Sequence, residues 1–206
     1  MITLKNANGL NYSFEKNEFY VVFEEDNEKK IIDVLTLLQK VETGQILYNH
    51  HDVTKIKSNF YRRNKMGIVN SHHNLIEHLT LLENVLLAME ITNNKMPKDK
   101  NKVASKLLTD FGFNTKKMKE KAYSLPLLEQ QKIALLSLYA MNVEVILMNH
   151  PTKFLNKDES ESFMEYLKDF VSQTEITVIV ITNEKELGKY ATKIVYLQKG
   201  ELLEKE

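Results

Sequence analysis

Two apolar runs, Val143-Glu144-Val145-Ile146-Leu147-Met148 and Ile176-Thr177-Val178-Ile179-Val180-Ile181, constrain this chain more than any other feature. Aliphatic and β-branched residues fill nearly every position, so a strand built from either run is apolar on both faces and must be covered twice. Between the runs, Phe163, Tyr166, Leu167, Phe170 and Val171 recur at helical spacing. A strand, helix, strand succession of this kind predicts a parallel sheet with helices laid against it, an α/β fold. Phe19-Tyr20-Val21-Val22-Phe23 supplies a further strand. After it, Ile31, Ile32, Val34, Leu35, Leu37, Leu38 and Val41 predict a helix.

The middle of the chain breaks this alternation. Leu79 to Met89, Val103 to Phe111 and Leu127 to Tyr139 all carry helical periodicity, with no strand between them. The lysine-rich stretch 91–102 reads as a surface loop. The expected layout is therefore a single domain, residues 1–206. An α/β core from 1–74 and 143–206 is interrupted by a helical subdomain at 75–142. The length, 206 residues, suffices for a substantial core. Basic and acidic side chains balance at 28 each, which argues against a general polyanion binder and for no nucleic-acid partner, while leaving a local patch open. No apolar run is long enough to span a bilayer, and the opening MITLKNANGL does not read as a signal peptide. Cysteine is absent, which excludes disulfides and thiolate chemistry and fits a reducing compartment.

Short strings occur in a fixed order along this frame. They begin with Gly44-Gln45-Ile46, Asp52-Val53-Thr54, Tyr61-Arg62-Arg63, Met66-Gly67-Ile68-Val69 and Asn74-Leu75-Ile76, and continue with Leu79 through Val85. Leu125, Glu129 through Ala134, Ile146-Leu147, Pro151-Thr152, Leu155, Thr177 through Thr182, Ile194 through Leu197 and Gly200 complete the set. The ordered set resembles the nucleotide-binding subunit of ATP-binding cassette (ABC) transporters, nearest to the lipoprotein-export, macrolide-efflux and cell-division branch, from about residue 17 onward. The resemblance implies a P-loop NTPase-like core with a helical insert.

The residues at the family's chemical positions differ from its pattern. Working members carry GxxxxGK[ST], whose glycines let backbone N–H groups crowd onto phosphates, whose lysine reaches the terminal phosphates and whose hydroxyl holds magnesium. Here the matching stretch is Glu24-Glu25-Asp26-Asn27-Glu28-Lys29-Lys30-Ile31. Lys30 falls on the lysine position, its alternative reading being a solvated lysine at the start of a helix. The glycines are gone and the hydroxyl position is Ile31. Carboxylates in this loop would repel phosphate by ~1 kcal/mol per charge at about 4 Å in water and ~4 kcal/mol near a protein surface. By the same resemblance, Ser71 replaces the magnesium-contacting glutamine. Leu125-Pro126-Leu127-Leu128-Glu129 replaces the LSGGQ signature, and Asn149-His150 the paired Asp-Glu that organises metal and water. Asn156 stands for an aspartate and Asn183 for the switch histidine, while Tyr12 does not fall on the base-stacking position of a shortened first strand. Imidazole at His150 could accept a proton. Phosphoryl transfer depends on positioning and metal-assisted charge stabilisation, so His150 is expected to be a strand-end residue and no catalytic residue is assigned. In this family each nucleotide lies between the phosphate loop of one subunit and the signature of the other. A chain that has lost both elements leaves a failed half in every composite site.

Other clusters carry less. His50-His51 and His72-His73 are adjacent pairs, and His73 with His78 has no good ligand geometry on a helix, so no metal is expected. Lys116, Lys117, Lys119 and Lys121 read as a solvated loop, with an anionic partner or membrane headgroups as the sharper reading. The stripe containing Leu75, Leu79, Leu82 and Val85 is expected to retain the docking surface that the family offers its membrane subunit, or else simply to pack the core.

Taken together, the sequence leads to a catalytically degenerate ABC subunit, a pseudo-ATPase acting as scaffold or regulator. Its cofactor is expected to be none, with at most weak ATP and magnesium binding. The expected partners are a membrane permease-like subunit, an intact ABC ATPase, or both, in a monomer or heteromer rather than an ATP-driven homodimer. Its place would be the cytoplasmic face of the cell membrane, reached through that partner. The alternatives are an ATPase subunit powering export with unorthodox residues or an intact partner, and a soluble interaction module on the same scaffold.

Overall fold

A computed structural model describes residues 1–24, 31–72, 74–92, 97–198 and 201–205. The runs that demanded double cover form the middle of one large sheet. Its strands are β3 (Phe19–Glu24), β6 (Met66–Val69), β7 (Val145–Asn149), β8 (Thr177–Thr182), β9 (Lys193–Gln198) and β10 (Glu201–Lys205). They lie in the order β10-β9-β3-β8-β7-β6. β9, β3, β8, β7 and β6 run parallel, and β10 folds back antiparallel onto β9. In register, Val21 sits opposite Val180 on one side and Ile194 on the other. The fold is thus mixed α/β with a parallel core.

Period-two alternation sorts β3 between two apolar layers. Phe19, Val21 and Phe23 join Ile146, Val178, Phe163 and Phe170 on one face, while Tyr20 and Val22 join Ile31, Leu35, Leu147 and Ile179 on the other. These side chains are essentially inaccessible to solvent, and each fully buried one contributes about 1.5–3 kcal/mol of transfer free energy. A second, antiparallel sheet was not anticipated from the sequence. β1 (Ile2–Ala7), β2 (Leu10–Phe14), β4 (Gln45–Tyr48) and the two-residue β5 (His51–Asp52) pair in the order β2-β1-β4-β5. Its turns rely on residues that tolerate positive φ, among them Asn6, Asn8, Asn49 and Gly44. At Gly44 a Cβ would lie 2.2 Å from the carbonyl oxygens of Lys5 and Asn6, so only glycine fits.

The helices are α1 (Ile31–Leu35), α2 (Ser58–Asn64), α3 (Leu81–Glu90), α4 (Lys100–Asp110), α5 (Leu127–Ala140) and α6 (Lys157–Gln173). α3, α4 and α5 fall between β6 and β7 and pack into the same core as the face of β3 that carries Phe19. α1 is much shorter than the apolar spacing over 31–41 suggests. Leu37 takes a left-handed backbone, and the Thr36 hydroxyl donates to the Ile32 carbonyl at 2.6 Å. Arg62 then donates to the Thr36 and Leu37 carbonyls at 3.1 and 3.4 Å, supplying from α2 the donors a longer helix would have used. α3 begins two residues later than expected. Thr80 caps it, accepting from the Glu83 N–H while the Glu83 carboxylate accepts from Thr80 N–H. Part of the stretch read as a surface loop, residues 93–96, lies outside the described residues, and the start of α4 takes up its end.

Candidate functional site

Parallel strands point their C-terminal ends the same way, and in open α/β sheets ligands bind beyond those ends. Here the ends of β3, β8, β7 and β6 carry Glu24, Thr182, Asn149 and Val69 side by side. Beside them lies a cleft of about 430 Å³ whose polar lining comes from Asp33, Arg62, Asn70, Asn74 and Asn149. One acid and one base face it. Asn74 is held by donation from its amide to the Ile68 carbonyl at 2.5 Å, and Arg62 is already engaged at the end of α1.

Lys30, the one family-like phosphate residue, lies outside the described residues, as do positions 25–29. The two flanks are described, and they touch. The Glu24 carboxylate accepts a hydrogen bond from the backbone N–H of Ile31 at 3.2 Å. That N–H opens α1 and is one of the four that a helix start leaves without an internal partner. A side-chain anion from the chain itself therefore satisfies it.

The loop after β7 forms a tight left-handed turn at His150, φ 48°, whose N–H donates to the Ile181 carbonyl at 2.8 Å. Thr152, fully buried, donates its hydroxyl to Glu184 at 2.6 Å, and the Glu184 N–H donates to the Thr182 hydroxyl at 3.1 Å. These contacts stitch the end of β7 to the segment after β8. Asn183 itself is exposed. Asn156 caps α6, accepting from the Glu159 N–H at 3.0 Å, with the Glu159 carboxylate returning the contact.

The stretch over 125–129 opens α5. Pro126 is its N-cap and gives no side-chain cap, Leu125 is buried, and Leu127 stands in solvent. One turn on, Gln131 donates from Nε2 to the Ser71 carbonyl at 3.1 Å, tying the segment after β6 to α5, while its buried Oε1 has no partner. Glu129 pairs with Lys117, and Lys121 approaches Glu83 at 3.7 Å, so half of the lysine cluster over 116–121 is matched to acids within the fold.

The stripe expected from the sequence to face a partner is split by burial. Leu75, Leu79 and Leu82 are half-buried, Leu75 and Leu82 leaning on the core, whereas Val85 is fully buried within it. The exposed apolar residues beside them are Ile76, which belongs to the retained string Asn74-Leu75-Ile76, and Tyr123, which the sequence does not single out as a contact. They are brought together by strand-like pairing of 77–81 with 120–123. Ala122 donates to Leu79, Leu81 to Glu120 and Tyr123 to Glu77, at 3.0–3.2 Å. Asn84 fixes this corner, its Oδ1 accepting from Ile76 N–H at 2.8 Å and its amide reaching the Ile76 and Thr80 carbonyls. Nothing in the spacing of Ile76 and Tyr123 announces a meeting 47 residues apart in the chain.

His50, His51, His72 and His78 are exposed, and His73 lies outside the described residues. Among the described residues no three potential metal-ligating side chains converge. Tyr12 belongs to the antiparallel sheet, where its hydroxyl donates to Glu204 at 2.7 Å, and burial with that carboxylate pushes its pKa up.

The family model for ABC transporters matches residues 30–153, more than half of the chain. The chain belongs to the ABC transporter ATP-binding family. An ABC transporter ATP-binding protein of Methanocaldococcus jannaschii, MJ1508, is 30% identical over 98% of this chain and 90% of its own length. YclH of Bacillus subtilis, likewise described as an ABC transporter ATP-binding protein, is 28% identical over 96% of this chain and 88% of its own. The solved dimer of the ATP-binding cassette MJ0796 bound to ADP and Pi superposes with a TM-score of 0.80 at 24% identity, covering 100% of this chain and 98% of that one, a likeness of fold. This ABC chain therefore has the family's P-loop NTPase architecture, and among its described residues no helix is long and apolar enough to cross a membrane.

Proposed function

We propose that this ABC subunit is a pseudo-ATPase that serves a membrane transporter-like partner as scaffold or regulator. The observation that carries the reading is the Glu24 carboxylate seated on the N–H of Ile31. In a phosphate loop the helix-start N–H groups serve an incoming anion. Here one of them is occupied by the protein's own anion, and a phosphate entering beside it would meet like charge worth ~1 kcal/mol at about 4 Å in water and several times more near the surface. The other family positions agree in direction. Asn149 supplies no carboxylate for magnesium, Leu127 and Leu128 replace the glycines of the signature at the start of α5, and Ser71 stands where the family has a glutamine.

The same reading keeps the subunit's mechanical surface. Half-buried Leu75, Leu79 and Leu82, with exposed Ile76 and Tyr123, present an apolar corner locked by Asn84 and suited to a helix of a permease-like subunit. The protein would then work at the cytoplasmic face of the membrane, held there by that partner or by an intact cassette.

Titration of the purified chain with Mg-ATP, and turnover assays with candidate partners added, test the proposal. The expected result is no saturable binding in the micromolar range and no hydrolysis. Micromolar binding with turnover abolished by Lys30→Ala would overturn it in favour of an active subunit. Purification from native membranes should bring down an integral membrane protein in a manner lost on Ile76→Asp. Capture of soluble partners alone would point to an interaction module.

A further inference from the structure

The described surface holds one strongly basic patch that the fold does not neutralise. Between positions 50 and 65 the chain carries Lys55, Lys57, Arg62, Arg63 and Lys65 against a single acid, Asp52, although the whole protein is neutral. The remainder of the chain therefore carries the balancing excess of acid. The lysines at 116–121 offer a contrast, since acids of the fold answer two of them. Around α2 the pairing is thinner. Lys55 approaches Asp52 at 3.5 Å, Arg62 turns inward to the carbonyls of α1, and Lys65 lies 5.9 Å over the ring of Tyr48. Lys57 and Arg63 have no acidic partner among the described residues and stand in solvent.

Two large apolar side chains are exposed within the same patch, Ile56 at 39% and Phe60 at 47%. Phe60 sits on α2, and Ile56 lies in the segment that leads into it. Tyr61 is completely buried and meets Tyr48 edge-on at 5.9 Å, and the buried Asn64 side chain donates to the Phe60 carbonyl at 2.8 Å. With Tyr61 and Asn64 turned inward, helical geometry places Asn59 and Arg63 on the opposite side, while Phe60 lies on the flank, where its ring is still 47% exposed. The result is a rigid, shallow surface of cations interleaved with an aromatic and an aliphatic side chain.

We infer that the exposed face of α2, with Lys55, Ile56, Lys57, Phe60 and Arg63, is a contact site for an anionic lipid surface. Cations draw the face to the negative headgroups of a cytoplasmic leaflet, and the interleaved rings and chains enter the headgroup boundary. Charge complementarity selects the occupant. Cytoplasmic loops of membrane proteins are enriched in lysine and arginine, so such a loop would be repelled here, whereas the leaflet beside it attracts. The inference requires neither nucleotide nor permease, so it stands or falls separately from the pseudo-ATPase reading.

Co-sedimentation of the full chain with vesicles of phosphatidylcholine alone, and of phosphatidylcholine with phosphatidylglycerol, tests it. Binding is expected to the anionic vesicles only, weakening as salt rises from about 0.1 M and the Debye length shrinks below about 10 Å. Each cation near the surface is worth about fivefold in affinity, so Lys57→Gln with Arg63→Gln should lower binding by at least about tenfold. Phe60→Ser should lower it several-fold at every salt concentration. Lys116→Gln with Lys119→Gln, in the other lysine cluster, should leave it nearly unchanged. All these positions are exposed, and an unchanged circular dichroism spectrum shows that each variant is folded. Equal binding to neutral vesicles, no binding to anionic vesicles at low salt, or indifference to the Lys57 and Arg63 substitutions would overturn the inference. So would saturable binding of a soluble polyglutamate peptide that the same substitutions abolish without any vesicle binding, which would give the face to an acidic protein segment.

Discussion

Tyr61 shows how a single side chain can serve position at the cost of an unmet bond. Its ring anchors α2 against Tyr48, yet its hydroxyl is buried without a partner, and burial raises its pKa. A stranded hydroxyl costs about 1–3 kcal/mol. Tyr61→Phe keeps the ring and removes the cost, so it should stabilise the protein by up to about 1 kcal/mol, seen as a higher midpoint in urea with an unchanged slope. At this scale the sequence was legible where chemistry is local. Asn156, read as standing in for an aspartate, keeps a cap oxygen, and the acid at Glu159 completes a capping box that needs only three residues of chain. Glu24 was legible only as one acid among several. Its bond to Ile31 depends on how the chain returns to the head of α1, which no spacing specifies. Lys30 was read as the family's lysine by alignment of strings, and nothing in the described residues adds to that.

At the scale of elements, apolar periodicity gave the strands and helices buried against one another and misjudged those ended by long-range contacts. β7 and β8 were readable because both faces are covered. α1 was not, since its end is made by Arg62, 25 residues further on. The antiparallel sheet was missed for a related reason. β1, β2 and β4 are buried at only some of their positions, unlike β7 and β8, and their positive-φ residues include asparagines that also occur in ordinary loops. Its junction with the large sheet holds a small polar cluster. Glu144, just before β7, accepts from Lys16 at 3.1 Å and from Asn49 at 3.0 Å. Burial alone would raise the pKa of Glu144, but the hydrogen bonds from Asn49 and Lys16 and the lysine charge outweigh it, and the net direction is down. A carboxylate with a depressed folded-state pKa stabilises the fold above the ordinary glutamate range and loses that contribution as pH falls through the lowered value. The midpoint of unfolding should therefore drop more steeply on acidification in the wild type than in Glu144→Gln, as urea titrations across the acid range would measure.

The whole molecule combines a family architecture recognisable from ordered strings with a cleft in which Arg62 and Asn74 are bonded within the fold. If ATP cannot bridge two copies, adding Mg-ATP should leave the sedimentation coefficient of the purified chain unchanged, and a nucleotide-dependent shift to a dimer would contradict the proposal. The strand order has a further consequence, for how the protein is made. β3 leaves the ribosome well before its two neighbours, β8 and β9, which lie far later in the chain. Until they arrive, an apolar strand waits with both edges unsatisfied, inviting misplaced pairing. Loop closure across some 150 residues must precede the central hydrogen bonds. Completion of the core is thereby tied to the synthesis of β8 and β9, and a nascent chain stalled before them would be a substrate for chaperones rather than a smaller working domain.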